Sequence, residues 1–111
     1  MAALTSTSIT QAGVLASASA VSASDTIAES QFGATGVVLR VINGNAAADT
    51  VTITDPTLTA MGSAATNPTI AVANGTTKSI FVPRSAINAT TGVATVAHST
   101  TATVTYELYR A

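Results

Sequence analysis

The sequence predicts an all-β fold: a single small antiparallel β-sandwich, or a partly closed barrel, of about seven to eight strands behind an extended Ala/Ser/Thr-rich N-terminal segment. Three observations point there. Short runs rich in Val, Ile and Thr alternate between apolar and polar side chains, the period of a pleated strand. Gly, Pro, Asn and Asp punctuate those runs at a spacing of roughly 8–12 residues, as in sandwiches and small barrels. Threonine fills the outward positions, where a β-branched yet wettable side chain suits the pleated surface.

By composition the chain divides into an Ala/Ser/Thr-rich part, 1–35, and a part that holds most of the β-branched residues, 36–111; the expected organisation is an arm or extended segment over 1–24 and a sandwich domain over 25–111. The arm has few large side chains, and within it Thr7 to Leu15 carries Ile9, Val14 and Leu15 around Gly13. A helix over Ala16 to Ala23 is disfavoured by serines at alternate positions, which compete for backbone hydrogen bonds. Asp25-Thr26-Ile27 reads as a turn entering a short strand. From Gly36 onward, Val37, Leu39 and Val41 share one face and Val38, Arg40 and Ile42 the other; both are largely apolar, which predicts a central strand. Asn43-Gly44-Asn45 breaks it with residues that tolerate positive φ. Thr50 to Thr54 sets Val51 and Ile53 inward, and Asp55-Pro56 ends it, because proline lacks the N–H a ladder needs.

Residues 57–67 read as a loop of small residues. Ile70 and Val72 follow, and Asn74-Gly75 is a strong short turn signal. Lys78 to Val82 places Ile80 and Val82 inward and Phe81 opposite, before Pro83. Thr90-Thr91-Gly92 turns into Val93 to Ala97. The last strand sets Val104, Tyr106 and Leu108 against Thr105, Glu107 and Tyr109.

With 111 residues the chain has room for one domain. Leu, Ile, Val and Phe total 25 residues, a lean core just above the range of about 20% typical of disordered chains. Cysteine is absent, which excludes disulfides, thiolate metal sites and cysteine nucleophiles. Charge is the unusual feature: 8% of residues are Asp, Glu, Lys or Arg, against about 25% in an average soluble domain. A net charge of −1 gives no electrostatic footprint for nucleic acid or an anionic membrane. A free monomer ordinarily keeps itself soluble with a mixed charged surface. So sparse a complement suits a protein packed against neighbours. The run Val14 to Ser24 mimics a secretion signal, yet no Lys or Arg precedes Arg40, so the expectation is a protein made in the cytoplasm without processing. No apolar stretch approaches the roughly 18 residues of a membrane span.

No constellation supports catalysis, and the expectation is a non-enzyme without cofactor or metal. His98 is the one histidine, and it reads as an exposed strand-end residue, since catalytic or zinc chemistry needs partners the chain does not supply nearby in sequence. Asp25 with Glu29, or Asp49 with Asp55, could meet and hold a cation, but neither pair has calcium-loop spacing, and turn-forming or solubilising roles explain Asp49 and Asp55 more cheaply. Asn74-Gly75-Thr76 and Asn88-Ala89-Thr90 are chance glycosylation sequons in a Thr-rich chain. The partner-binding candidates are the apolar arm residues Ile9, Val14 and Leu15, together with Arg40, Arg84, Tyr109 and Arg110, because Arg and Tyr are enriched at binding hot spots.

Several stretches carry a family likeness: Leu4-Thr5 through Ile9-Thr10-Gln11-Ala12-Gly13, Asp25-Thr26, VVLRVINGNAAADTVTITDP at 37–56, TIAVANGTTKSIFVPRSAIN at 69–88, and GVATV followed by TATVTYELYR at the end. In these the chain resembles the small capsid decoration (cement) proteins that actinobacterial phages and prophages encode beside the major capsid protein. It departs from that pattern with Ala and Ser before Asp25-Thr26 and with Phe81-Val82-Pro83-Arg84 where the family has a glycine-proline-phenylalanine segment, and no contact residue is carried over. The resemblance implies a virion protein on the capsid surface. Its expected partners are the major capsid protein and, at a lattice symmetry axis, copies of itself as a trimer, with neither nucleic acid nor membrane. Another virion part (tail, head–tail connector or spike) and a pilus or adhesin module are the alternatives.

Overall fold

The computed structural model of the chain describes residues 2–15 and 17–111; Met1 and Ala16, the first residues of the arm and of the stretch weighed above as a helix, lie outside the described residues. Among the described residues nine strands form two sheets: β1 (Ala2–Ala3), β2 (Ser19–Ala20), β3 (Ser24–Ala28), β4 (Gly36–Asn43), β5 (Asp49–Ile53), β6 (Thr69–Val72), β7 (Thr77–Pro83), β8 (Val93–His98) and β9 (Val104–Arg110). Sheet one has the order β1-β3-β8-β5-β6 and sheet two the order β2-β9-β4-β7. All pairings are antiparallel except β1 with β3. The result is the expected sandwich, with open edges rather than a closed barrel. Its shortest dimension is 20 Å, that of two packed layers with their outward side chains.

Alternation fixes the core. Val37, Leu39 and Val41 of β4 are fully buried, as are Val51 of β5, Val72 of β6, Val82 of β7 and Val96 of β8. Leu108 and Tyr106 of β9 complete the inner face of sheet two. Each such side chain contributes roughly 1.5–3 kcal/mol on leaving water. β4 is central as predicted, with β7 on one side and β9 on the other.

Two local features differ from a simple run of hairpins. Asn74-Gly75 does turn the chain, with Gly75 at φ +71°, but it passes from β6 in sheet one to β7 in sheet two. The Gly75 N–H donates to the Asn43 carbonyl and the Asn43 N–H to Thr76, so the turn is fastened to the end of β4. The Asn43 side chain is itself buried; its amide donates to the carbonyls of Ala47 and Val72, and its oxygen accepts the Asn45 N–H. This closes one end of the sandwich with every polar group partnered.

The N-terminal segment is part of the sandwich. Leu4 is buried and its N–H donates to Thr26 in sheet one; Thr7 then bridges to β9, and β2 returns to β9 beyond it. The segment therefore crosses from one sheet to the other and closes the side on which β3 and β9 would be open. Residues 17–23 contain no helix.

Candidate functional site

The two outer faces of the sandwich differ in chemistry. On sheet one the outward positions are Ser24, Thr26 and Ala28 of β3, Val93, Thr95 and Ala97 of β8, and Thr50 and Thr52 of β5, all Ser, Thr or Ala apart from half-buried Val93. On sheet two the register places Phe81, Val38 and Tyr109 side by side in one row across β7, β4 and β9. The next row is Ser79, Arg40 and Glu107, and the one after it Thr77, Ile42 and Thr105. Phe81 is 53% exposed, whereas Val38, Ile42 and Tyr109 are half-buried. The Phe81 ring lies over Gly36, where a Cβ would come within 3.1 Å of two ring atoms and 2.3 Å of the Val82 carbonyl oxygen. Gly36, at φ +152°, is thus required by the backbone and also seats the ring.

The charges on this face neutralise one another. The Arg40 guanidinium donates to both Glu107 carboxylate oxygens at 3.3 and 3.4 Å, and the Tyr109 hydroxyl donates to Glu107 as well. That hydrogen bond to the carboxylate pushes the Tyr109 phenol above its ordinary range, with burial and the Glu107 charge adding to it. The two opposite charges of this face are therefore paired within one row, with the Arg40 side chain still 44% exposed.

The arm extends this face past β9. Between Thr7 and β2 the chain leaves the sheet edge, and there Ile9 is 67% and Leu15 90% exposed, with Val14 close by in sequence and also exposed. A groove of about 230 Å³ runs between the excursion and β9, lined by Leu15, Ser17, Thr7, Tyr106 and Tyr109 among others. Of the sequence candidates, the structure thus brings Leu15 and Tyr109 to one groove, with Arg40 one row away.

Arg84 and Arg110 serve the fold's own connections. Arg84 donates to the Gly33 carbonyl and pairs with Glu29 at 3.2 Å. Arg110 donates to the Ser8 hydroxyl and the Ser30 carbonyl. Both hold the 29–33 connection between β3 and β4. Three exposed apolar residues were not among the candidates: Phe81, Leu58 and Met61. Phe81 carried a signal, since its parity opposes Ile80 and Val82; Leu58 and Met61, in the aperiodic 57–67 loop, carried none.

The histidine reading is corrected by the structure. His98 ends β8, but its side chain is 0% exposed and points between the sheets, because it shares parity with buried Ala94 and Val96. Its Nδ1 lies 2.7 Å from Asp49 Oδ2, and its Nε2 lies 3.9 Å from Asp25 Oδ2 with no hydrogen-bond partner. The turn-forming or solubilising role fails for Asp49, which is fully buried, and holds for Asp55, which accepts the hydroxyl and N–H of Thr57. The Thr57 hydroxyl, then its N–H, lower the Asp55 carboxyl below the usual carboxylate range. Neither imagined carboxylate pair forms: Asp25 and Asp49 face His98, and Glu29 faces Arg84. Among the described residues no group of three or more His, Asp or Glu side chains is arranged to hold a metal ion.

Compared with known proteins, the chain matches no protein family, no curated protein and no solved structure.

Proposed function

We propose that the chain is a phage virion structural protein, a capsid decoration subunit that binds the exterior of the assembled major capsid lattice and stabilises it. The outer face of sheet two, with the adjoining residues 8–15, 17 and 18, is the docking surface. One observation carries the docking part: the Phe81–Val38–Tyr109 row and exposed Ile9 and Leu15 lie on a chain almost without free charge. Among the described residues, Asp25 and Asp49 are buried, Arg40 pairs with Glu107 and Arg84 with Glu29, which leaves Asp55, Lys78 and Arg110 outside any ion pair. Apolar rows of this kind with aromatic anchors are what interface cores present.

The choice of a capsid lattice as partner rests on the resemblance of the 37–56 and 69–88 stretches to decoration proteins. The physics fits such a role. A subunit that binds only the assembled lattice stabilises it by mass action, and many equivalent contacts multiply the effect without tight individual sites. The arm offers main-chain groups for pairing with an extended partner segment.

Quantitative mass spectrometry of purified particles tests the reading. Hundreds of copies per particle, near-stoichiometric with the capsid protein, are expected. A dozen or fewer would place the chain in a connector or spike, and its absence from particles would remove the virion assignment.

A further inference from the structure

The cluster of Asp25, His98 and Asp49 joins three strands of sheet one, β3, β8 and β5, in a place closed to water: all three side chains are 0% exposed. Both carboxylates are met by donors. Asp25 accepts the N–H and hydroxyl of Ser22, and Asp49 accepts the Thr100 N–H at 3.2 Å besides facing the ring. Those are the surroundings of ionised, acceptor-only groups. The imidazole sits between them, one nitrogen toward each. A neutral ring has one N–H and one lone pair, so either tautomer would aim a lone pair at a buried carboxylate. A neutral ring would also leave two buried negative charges uncompensated. Only the doubly protonated ring offers a proton to each side.

We propose that His98 is a buried imidazolium clasp between Asp25 and Asp49, and that its charge holds the root of the N-terminal segment against sheet one. The link to that segment is direct. Asp25 is tied to Ser22, the His98 backbone N–H donates to the Ala23 carbonyl, and Val21, next along, is packed in the core with its N–H on Val104. Removing the ring's proton turns an attraction to Asp25 into a repulsion and loosens residues 21–25, and with them the arm that closes the β3 and β9 side. The inference stands independently of the docking reading.

The charged groups facing the ring are Asp25 from β3 and Asp49 from β5. Among the described residues no other charged side chain comes within ion-pair distance of it, and the Arg40–Glu107 pair of sheet two lies on the outer face. The attraction across the clasp requires a proton on each ring nitrogen and an ionised carboxylate on each side.

Nitrogen-15 NMR of the full chain tests this without any substitution. At pH 7.5 both ring nitrogens of His98 are expected to carry a proton in the folded protein and only one in the denatured protein. Raising the pH until the second proton leaves should speed amide exchange, corrected for the intrinsic rate, at Leu4 and Val21 by on the order of tenfold or more relative to Val41. The variant Asp25→Asn should produce the same selective loosening at pH 7.5. A singly protonated ring in the folded protein at pH 7.5 would overturn the proposal. So would loosening spread evenly over β4 and the arm, or zinc(II) displacing the Nε2 proton and raising the melting temperature, which would make that nitrogen a metal ligand instead.

Discussion

Tyr109 shows how single side chains tune the outer face. Because the fold raises its phenol above the ordinary range through the hydrogen bond to Glu107, the folded chain holds that proton longer than the unfolded chain as pH rises. Its small stabilising effect is present below the tyrosine's ordinary range and lost as the pH climbs through the raised value. Ultraviolet titration of the folded protein should show one of the two tyrosines ionising late, and Glu107→Gln should move it back toward about pH 10. An unchanged titration in the variant would contradict the contact. Much at this scale was legible in the sequence: Val51, Ile53, Ile80, Val82, Val104, Tyr106 and Leu108 all point inward as period two requires. His98 was not, because Val93 and Val96 lie on opposite faces of β8 and leave the inward parity of that strand undecided. Burial of Asp25 and Asp49 was equally hidden, since each looks like an ordinary turn residue until the partners from distant strands are placed beside it.

At the scale of elements, the N-terminal segment is the part whose role composition concealed. It has two strands of two residues each, yet Leu4 is 3% exposed and fills the side of the sandwich between β3 and β9. Leu4→Ala is expected to cost about 2–4 kcal/mol in denaturant unfolding, the price of a cavity at a buried leucine. A loss below about 0.5 kcal/mol would mean that the segment is not seated as described. Strand positions from β4 onward could be read because each is bounded by Gly, Pro, Asn or Asp. Their assignment to sheets could not. Asn74-Gly75 looks the same whether it closes a hairpin or carries the chain between layers, and what decides is the pair of hydrogen bonds to Asn43, far upstream at the end of β4. Pairings between β3 and β8, or β4 and β9, are likewise set by the burial of whole faces and leave no mark on local sequence.

For the whole molecule, the sparse charge that marked the sequence acquires a location. Most ionisable groups are paired or enclosed, sheet one shows water a field of Thr, Ser and Ala, and sheet two shows it an aromatic and aliphatic row continued by the arm. On the proposed reading, the sheet-two face docks and the sheet-one face is left outward. The most direct measurement is cosedimentation of the purified chain with native particles that lack it. Wild-type protein and a variant charged on sheet one, Thr52→Asp with Thr95→Asp, should both bind to near-stoichiometric levels. The variant Phe81→Asp with Leu15→Asp should stay in the supernatant while unfolding within about 0.5 kcal/mol per substitution of wild type, as surface changes do. Binding by the Phe81/Leu15 variant equal to wild type, or loss of binding confined to the sheet-one variant, would contradict the account.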